Sequence, residues 1–221
     1  MSNWAGSPAG GESTEPMGTT RLEAFSDGVM AVIITITALS LRAPNGTTFS
    51  SLSHRLPALL VYILSFAFVG IYWNNHHHLL RASRHISGGV MWANLHLLFW
   101  LSLIPVVTEW VGTSYRASWP AATYGIVALG AALAFTLLTR TIVRADGRQS
   151  AVATALGSDL KGRASLVLYA AGIGLAFLSP WIAYAIYAAV SIIWFIPDRR
   201  MVRQLAAAGT GTADPSAPPP R

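Results

Sequence analysis

The chain has 221 residues and a formal net charge of +6, yet only 11% of its residues are charged and 53% are hydrophobic. Soluble domains carry about 25% charged residues because their whole surface faces water. This composition therefore predicts a protein of the lipid bilayer. The basic residues stand at the ends of apolar runs, which argues against binding nucleic acid. The absence of cysteine excludes thiolate chemistry.

A polar stretch at residues 1–20, which we predict to be a disordered tail, precedes a series of apolar runs. The last run is too long for one helix across about 30 Å of hydrocarbon, and Ser179-Pro180 divides it into a helical hairpin. The sequence thus predicts an all-α membrane protein with six transmembrane helices over 21–203 and a disordered tail over 204–221. The runs extend from Ala24 to Leu41, Leu56 to Trp73, Val90 to Val111, Trp119 to Thr139 and Ala164 to Ile196.

The basic residues are distributed unevenly between the two ends of these helices. If both termini lie on one side, that side holds eleven basic residues up to Arg203 and the other side holds three. Loops rich in lysine and arginine face the cytoplasm, so both termini are predicted to be cytoplasmic, in the cell membrane. The eleven are Arg21, Arg81, Arg84, Arg140, Arg144, Arg148, Lys161, Arg163, Arg199, Arg200 and Arg203; the three are Arg42, Arg55 and Arg116.

The first predicted helix begins with residues that are costly near a membrane, namely Arg21, Glu23, Ser26 and Asp27. Two interpretations of this polar start remain open on physical grounds. In one, Ser26 or Asp27 caps the helix and Arg21 lies among the lipid headgroups. In the other, these side chains are retained for a function that needs polar groups at the membrane.

Further along the same helix, Val32, Thr35, Ile36 and Leu39 are spaced so that they share one face. That face combines bulky apolar side chains with a single hydroxyl. The Thr35 hydroxyl can bond the carbonyl four residues earlier, which is common in membrane helices. Periodicity alone favours ordinary helix packing as the explanation of this stripe.

Three segments resemble the lysosomal potassium channel family and its prokaryotic relatives. RLEAFSDGVMAVIITITALSL contains the family's Arg-x-x-x-Phe-Ser-Asp motif as Arg21, Phe25, Ser26 and Asp27. YWNNHHHLLR is similar to the Tyr-Trp-x-x-His pattern after the family's second helix, and ANLHLLFWLSLIPVVTEW is similar to its third helix. The resemblance covers residues 21–110, and the later helices match only as apolar segments.

This resemblance implies a six-helix subunit that forms a homotetramer around a central pore lined by the first helix. The channel conducts potassium and other monovalent cations passively, with a modest preference for potassium over sodium and without a cofactor. The pore constriction falls on Val32, Ile36 and Leu39, and the threonine implied in selectivity on Thr35. The family's narrowest position is often isoleucine or leucine, so the ring at Val32 is expected to be wider. Narrow apolar rings can gate a channel by dewetting.

The resemblance also gives the polar start of the first helix a structural role. It implies that Arg21, Ser26 and Asp27 form a buried polar network with Trp73 and His77. Such a network holds the helix in position, since each buried polar group needs a partner. Loss of Asp27 is therefore expected to impair assembly or gating more than conduction.

Other functions compete with a potassium-type channel. Adjacent residues on a helix point about 100° apart, so His76, His77 and His78 cannot all face one metal, and we predict no metal site. An ion-coupled secondary transporter is a stronger alternative, although the two halves of the chain look unrelated. Proton conduction through the same pore also remains open, because a network containing histidine can respond to pH.

Overall fold

The structure is a computed structural model that describes residues 17–83, 85–147, 150, 152 and 160–195. This part of the chain is helical without strands, which confirms the all-α prediction. In chain order the helices are α1 (Met17–Leu39), α2 (Phe49–Ser53), α3 (Leu56–Ala82), α4 (Gly88–Ser102), α5 (Ile104–Ser114), α6 (Ser118–Asp146), α7 (Leu160–Leu175) and α8 (Pro180–Phe195).

Four segments are long and apolar enough to cross a membrane by length and composition: α1, α3, the α4–α5 pair and α6. Helices α4 and α5 form one span with a break at Leu103, because Pro105 has no backbone N–H to continue the helix. Helices α7 and α8 have 16 residues each and are separated at Ser179, as the sequence predicted. Their crossing of the bilayer stays a prediction.

Several helices are longer than the apolar runs that predicted them. Helix α1 begins at Met17, so residues 17–20 of the predicted tail are helical, whereas 1–16 and the predicted tail at 204–221 lie outside the described residues. Helix α3 continues past Trp73 to Ala82. The apolar run ends at Trp73, but the buried face of the helix continues beyond it, since His76 and Leu80 are fully buried.

The helices pack around α1 and α6. Helix α1 lies against α3 on one side and against α4 and α5 on the other, while α6 packs behind α4 and α5. Helix α7 packs on α6 and α8, away from α1. Glycine permits the close contact between α4 and α6, because a Cβ at Gly130 would overlap the indole ring of Trp100.

Polar contacts between helix ends show that the described chain begins and ends at the same end of the bundle. The backbone N–H of His85, just after α3, donates to Asp146 Oδ1 at the end of α6 (2.9 Å). The indole N–H of Trp194, near the end of α8, donates to Ser165 Oγ near the start of α7 (2.8 Å). At the opposite end, the Tyr184 hydroxyl donates to the Tyr115 carbonyl (3.1 Å). The helices therefore alternate in direction.

Candidate functional site

Helix α1 has one face in the core of the helical bundle. Ser26, Met30, Ile33 and Thr37 are spaced by four, three and four residues, and their exposed fractions are 0, 1, 3 and 2%. This spacing is that of a single α-helical stripe. The Thr37 hydroxyl donates to the Ile33 carbonyl (2.7 Å), so the polar atom on this stripe is satisfied within the helix.

The predicted pore residues lie on the opposite face of α1. Val32, Ile36 and Leu39 are 56, 49 and 77% exposed, and Thr35 is also exposed. Packing within the single chain therefore does not explain this apolar stripe, which needs cover from lipid or from other copies of the chain. The Thr35 hydroxyl donates to the Ala31 carbonyl (2.8 Å), so its oxygen keeps lone pairs that can face a cation.

A buried chain of hydrogen bonds ties α1 to α3 and α4. His76 Nε2 and Asn94 Oδ1 are 2.7 Å apart, and Asn94 Nδ2 donates to Ser26 Oγ (2.9 Å). The Ser26 hydroxyl donates to the Leu22 carbonyl (2.8 Å). Because the Asn94 amide nitrogen is used as a donor, its oxygen must accept from His76, which places a proton on Nε2. All three side chains are completely buried, so each depends on the others for its hydrogen bond.

The other motif residues form a second, more exposed group toward the start of α1. The indole N–H of Trp73 donates to Asp27 Oδ1 (3.0 Å), and the ring of Trp73 stacks on that of His77 (centroids 5.9 Å apart). His77 Nδ1 lies 2.6 Å from Glu23 Oε1, and Arg81 approaches the same oxygen at 3.8 Å.

The predicted network is therefore divided into two. Ser26 pairs with Asn94 and His76, whereas Asp27 pairs with Trp73, and His77 pairs with Glu23. Arg21 and Phe25 are exposed, and Arg21 has no hydrogen bond or ion pair with another described residue. The cause is helical rotation, since neighbouring positions such as 76 and 77 point about 100° apart.

Sequence reasoning missed a second buried cluster deeper in the bundle. Ser65 Oγ lies 2.6 Å from Thr108 Oγ1 and 3.1 Å from the Tyr124 hydroxyl, so one serine joins α3, α5 and α6. The Ser65 hydroxyl can donate to one of these two hydroxyls and accept from the other. Ser65 lies four residues before Val69 on the buried face of α3, and that spacing was the available signal.

The histidine run does not gather around a common centre. His76 is buried, His77 contacts Glu23 and His78 is exposed. Within the described ranges, no group of three or more His, Cys, Asp or Glu side chains is arranged to hold a metal ion.

The sequence of this chain matches known channel proteins over most of its length. Residues 21–105 match the family described as the endosomal/lysosomal potassium channel TMEM175. A potassium channel of Chryseobacterium sp. (strain P1-3) is 50% identical over 185 residues, which are 84% of this chain and 96% of that protein. The chain belongs to the TMEM175 family. The resemblance inferred from the motif is thereby confirmed.

Two further comparisons concern the fold and the animal members of the TMEM175 family. The crystal structure of a lysosomal potassium-selective channel TMEM175 homolog from Chamaesiphon minutus matches with a TM-score of 0.73 and 24% identity, covering 85% of this chain and 98% of that chain. The two share a fold. The human endosomal/lysosomal proton channel TMEM175 is 36% identical over 86 residues, which are 32% of this chain and 17% of the human protein.

Proposed function

We propose that this TMEM175 protein is the subunit of a cation channel that conducts potassium passively across the cell membrane. The observation that carries the proposal is the face of α1 opposite the core, where Val32, Thr35, Ile36 and Leu39 stay exposed in the single subunit. Membership of a family that includes a bacterial protein named as a potassium channel supports the proposal that this face lines an ion pathway.

The proposed assembly is a homotetramer in which four α1 helices surround the pore. One subunit presents only one face of α1, so several copies are needed to enclose a pathway. Each subunit contributes six membrane spans, with α7 and α8 as the last two. Both termini are cytoplasmic, because the end of the bundle where the described chain begins and ends also carries most of its basic residues.

Conduction in this arrangement depends on apolar rings separated by one helical turn. Val32 and Ile36 are four residues apart, which places their rings about 6 Å apart along α1. Leu39 forms the next ring, at the C-terminal end of α1. Narrow apolar rings oppose wetting and so control the passage of hydrated ions. The Thr35 hydroxyls lie between these rings and offer oxygen atoms to a partly dehydrated cation.

Substitution of Thr35 by alanine is expected to reduce the preference for potassium over sodium several-fold, because it removes the hydroxyl oxygens from the pore face. The measurement is the reversal potential of purified protein in planar bilayers with potassium on one side and sodium on the other. The unsubstituted channel should reverse toward the potassium equilibrium potential, and the variant should reverse closer to zero. An unchanged permeability ratio would contradict this role of Thr35.

Proton conduction is the second candidate function. It is favoured by the human relative, which is named as a proton channel and is 36% identical to this chain over 86 residues. In the same bilayers, a reversal potential that follows the proton gradient and not the potassium gradient would favour this alternative. Substrate-coupled flux without channel currents would instead indicate an ion-coupled transporter.

A further inference from the structure

His96 is an ionisable residue on an outward-facing apolar surface of α4. Its exposed neighbours on that surface are Met91, Trp92, Leu95 and Phe99. The indole N–H of Trp100 donates to His96 Nε2 (3.0 Å). Because an indole nitrogen can only donate, Nε2 accepts and the proton of the neutral imidazole lies on Nδ1.

The Nδ1–H of His96 thus needs an acceptor, and no other described residue of the same subunit provides one. His96 lies eight residues after Gly88, about 12 Å along the helix axis from the start of α4. An unpaired polar hydrogen that faces lipid is costly, and ionisable groups of membrane spans usually face protein or water rather than lipid.

Asn74 on α3 lies at the same level as His96. The hydrogen bond between His76 and Asn94 fixes the register of α3 against α4, which runs antiparallel to it. Asn74 precedes His76 by two residues and His96 follows Asn94 by two, so both are displaced in the same direction by about 3 Å. Asn74 is exposed, and its amide has no hydrogen bond to another described residue.

The two side chains point to opposite flanks of the subunit. Two residues along an α-helix correspond to a rotation of about 200°, so Asn74 and His96 face away from the buried pair His76 and Asn94. Helix α1 contacts both α3 and the α4–α5 pair, and α3 and α4 also meet directly at His76 and Asn94. Asn74 therefore lies on the outer side of α3 and His96 on the outer side of α4. In a ring of copies around α1, the α4 flank of one subunit meets the α3 flank of the next.

We propose that His96 Nδ1–H donates to the amide oxygen of the partner subunit's Asn74, and that this contact repeats around the ring. The occupant of the α4 flank is a second copy of this chain. The inference rests on the proposed function, because it assumes that copies surround α1. Donor and acceptor are complementary, lie at one level and are both left without a partner in the single subunit.

The absence of cysteine makes a cross-linking test clean. The full chain carrying Asn74→Cys and His96→Cys together, in native membranes, is treated with a short bifunctional thiosulfonate. A contact between different flanks predicts covalent dimers, trimers and tetramers, since each copy then holds one cysteine on each flank. Either single variant should remain monomeric. The matched control pairs Asn74→Cys with Val167→Cys, which is exposed seven residues after the start of α7, a helix that packs away from α1.

The outcomes separate this contact from the channel itself. If the double variant forms no covalent dimers, trimers or tetramers but the unsubstituted protein conducts potassium, the contact is wrong and the proposed function stands. If neither cross-linked products nor potassium current is found, the contact and the proposed function are both overturned. Cross-linking that stops at dimers would contradict a ring of copies. As a second measurement, His96→Leu should weaken tetramer association by about fivefold per contact. Exchange of the pair, Asn74→His with His96→Asn, should restore it; failure to restore would contradict the hydrogen bond.

Discussion

Replacing Asn94 with leucine is expected to lower the free energy of unfolding by about 2–5 kcal/mol. The change removes the hydrogen bond from α4 to α1 and the hydrogen bond from α4 to α3. Ser26 loses its donor and His76 loses its acceptor, and both side chains are completely buried. Each buried polar group left unpaired carries its desolvation penalty of about 1–3 kcal/mol. Without this chain α1 keeps its apolar contacts and the more exposed contacts of Asp27 and Glu23 with α3.

A matched control lies on the neighbouring helix. The Asn75 amide donates to the Ile71 carbonyl of its own helix (2.8 Å), so Asn75→Leu removes an amide of the same size without breaking a contact between helices. The measurement is the thermal unfolding midpoint of purified protein, together with its elution as an oligomer. Equal losses in the Asn94 and Asn75 variants would contradict the role assigned to the buried chain.

Replacing Ile36 with asparagine is expected to raise single-channel conductance roughly tenfold, the effect of removing about 1.4 kcal/mol from the barrier to permeation. A ring of amides in place of a ring of apolar side chains favours water in the constriction. Ile36 is half exposed and outside the subunit core, so the change should leave folding intact.

The control for this variant is Ile63→Asn, at a similarly exposed position on α3. It introduces the same amide but lies away from the pore face, so its conductance should stay near that of the unsubstituted protein. Single-channel recording in planar bilayers measures both. A channel with Ile36→Asn and unchanged conductance would contradict a constriction at this position.

The helices could be predicted from the sequence because a membrane span must be apolar and of limited length. The break at Ser179-Pro180 followed from the same limit. Helix ends were harder to predict, since hydropathy ends where charged residues begin. The extension of α3 through its histidines depends on burial, which runs at helical spacing through Ser65, Val69, His76 and Leu80.

The candidate site was likewise predicted only in part from the sequence. The motif located α1 and the exposed stripe, but the pairing of its polar residues depends on rotation within the assembled bundle. Position 76 and not 77 continues the buried face of α3, and so His76 reaches Asn94 while His77 turns toward Glu23. Extending that face by seven residues, or two helical turns, from Val69 would have identified His76. Asp27 and Trp73, which the resemblance grouped together, are joined by a hydrogen bond outside the buried chain.

The central claim, that the exposed face of α1 lines a cation pore, is tested most directly by cysteine accessibility. The chain has no cysteine, so single substitutions can be read without background. Potassium current is recorded before and after a cationic thiosulfonate is added to Val32→Cys, Thr35→Cys, Ile36→Cys and Leu39→Cys, with Ile33→Cys on the buried face as control. Block at exposed positions and none at the control is the predicted result. Current that persists at all four, or block that is equal at Ile33→Cys, would contradict the pore.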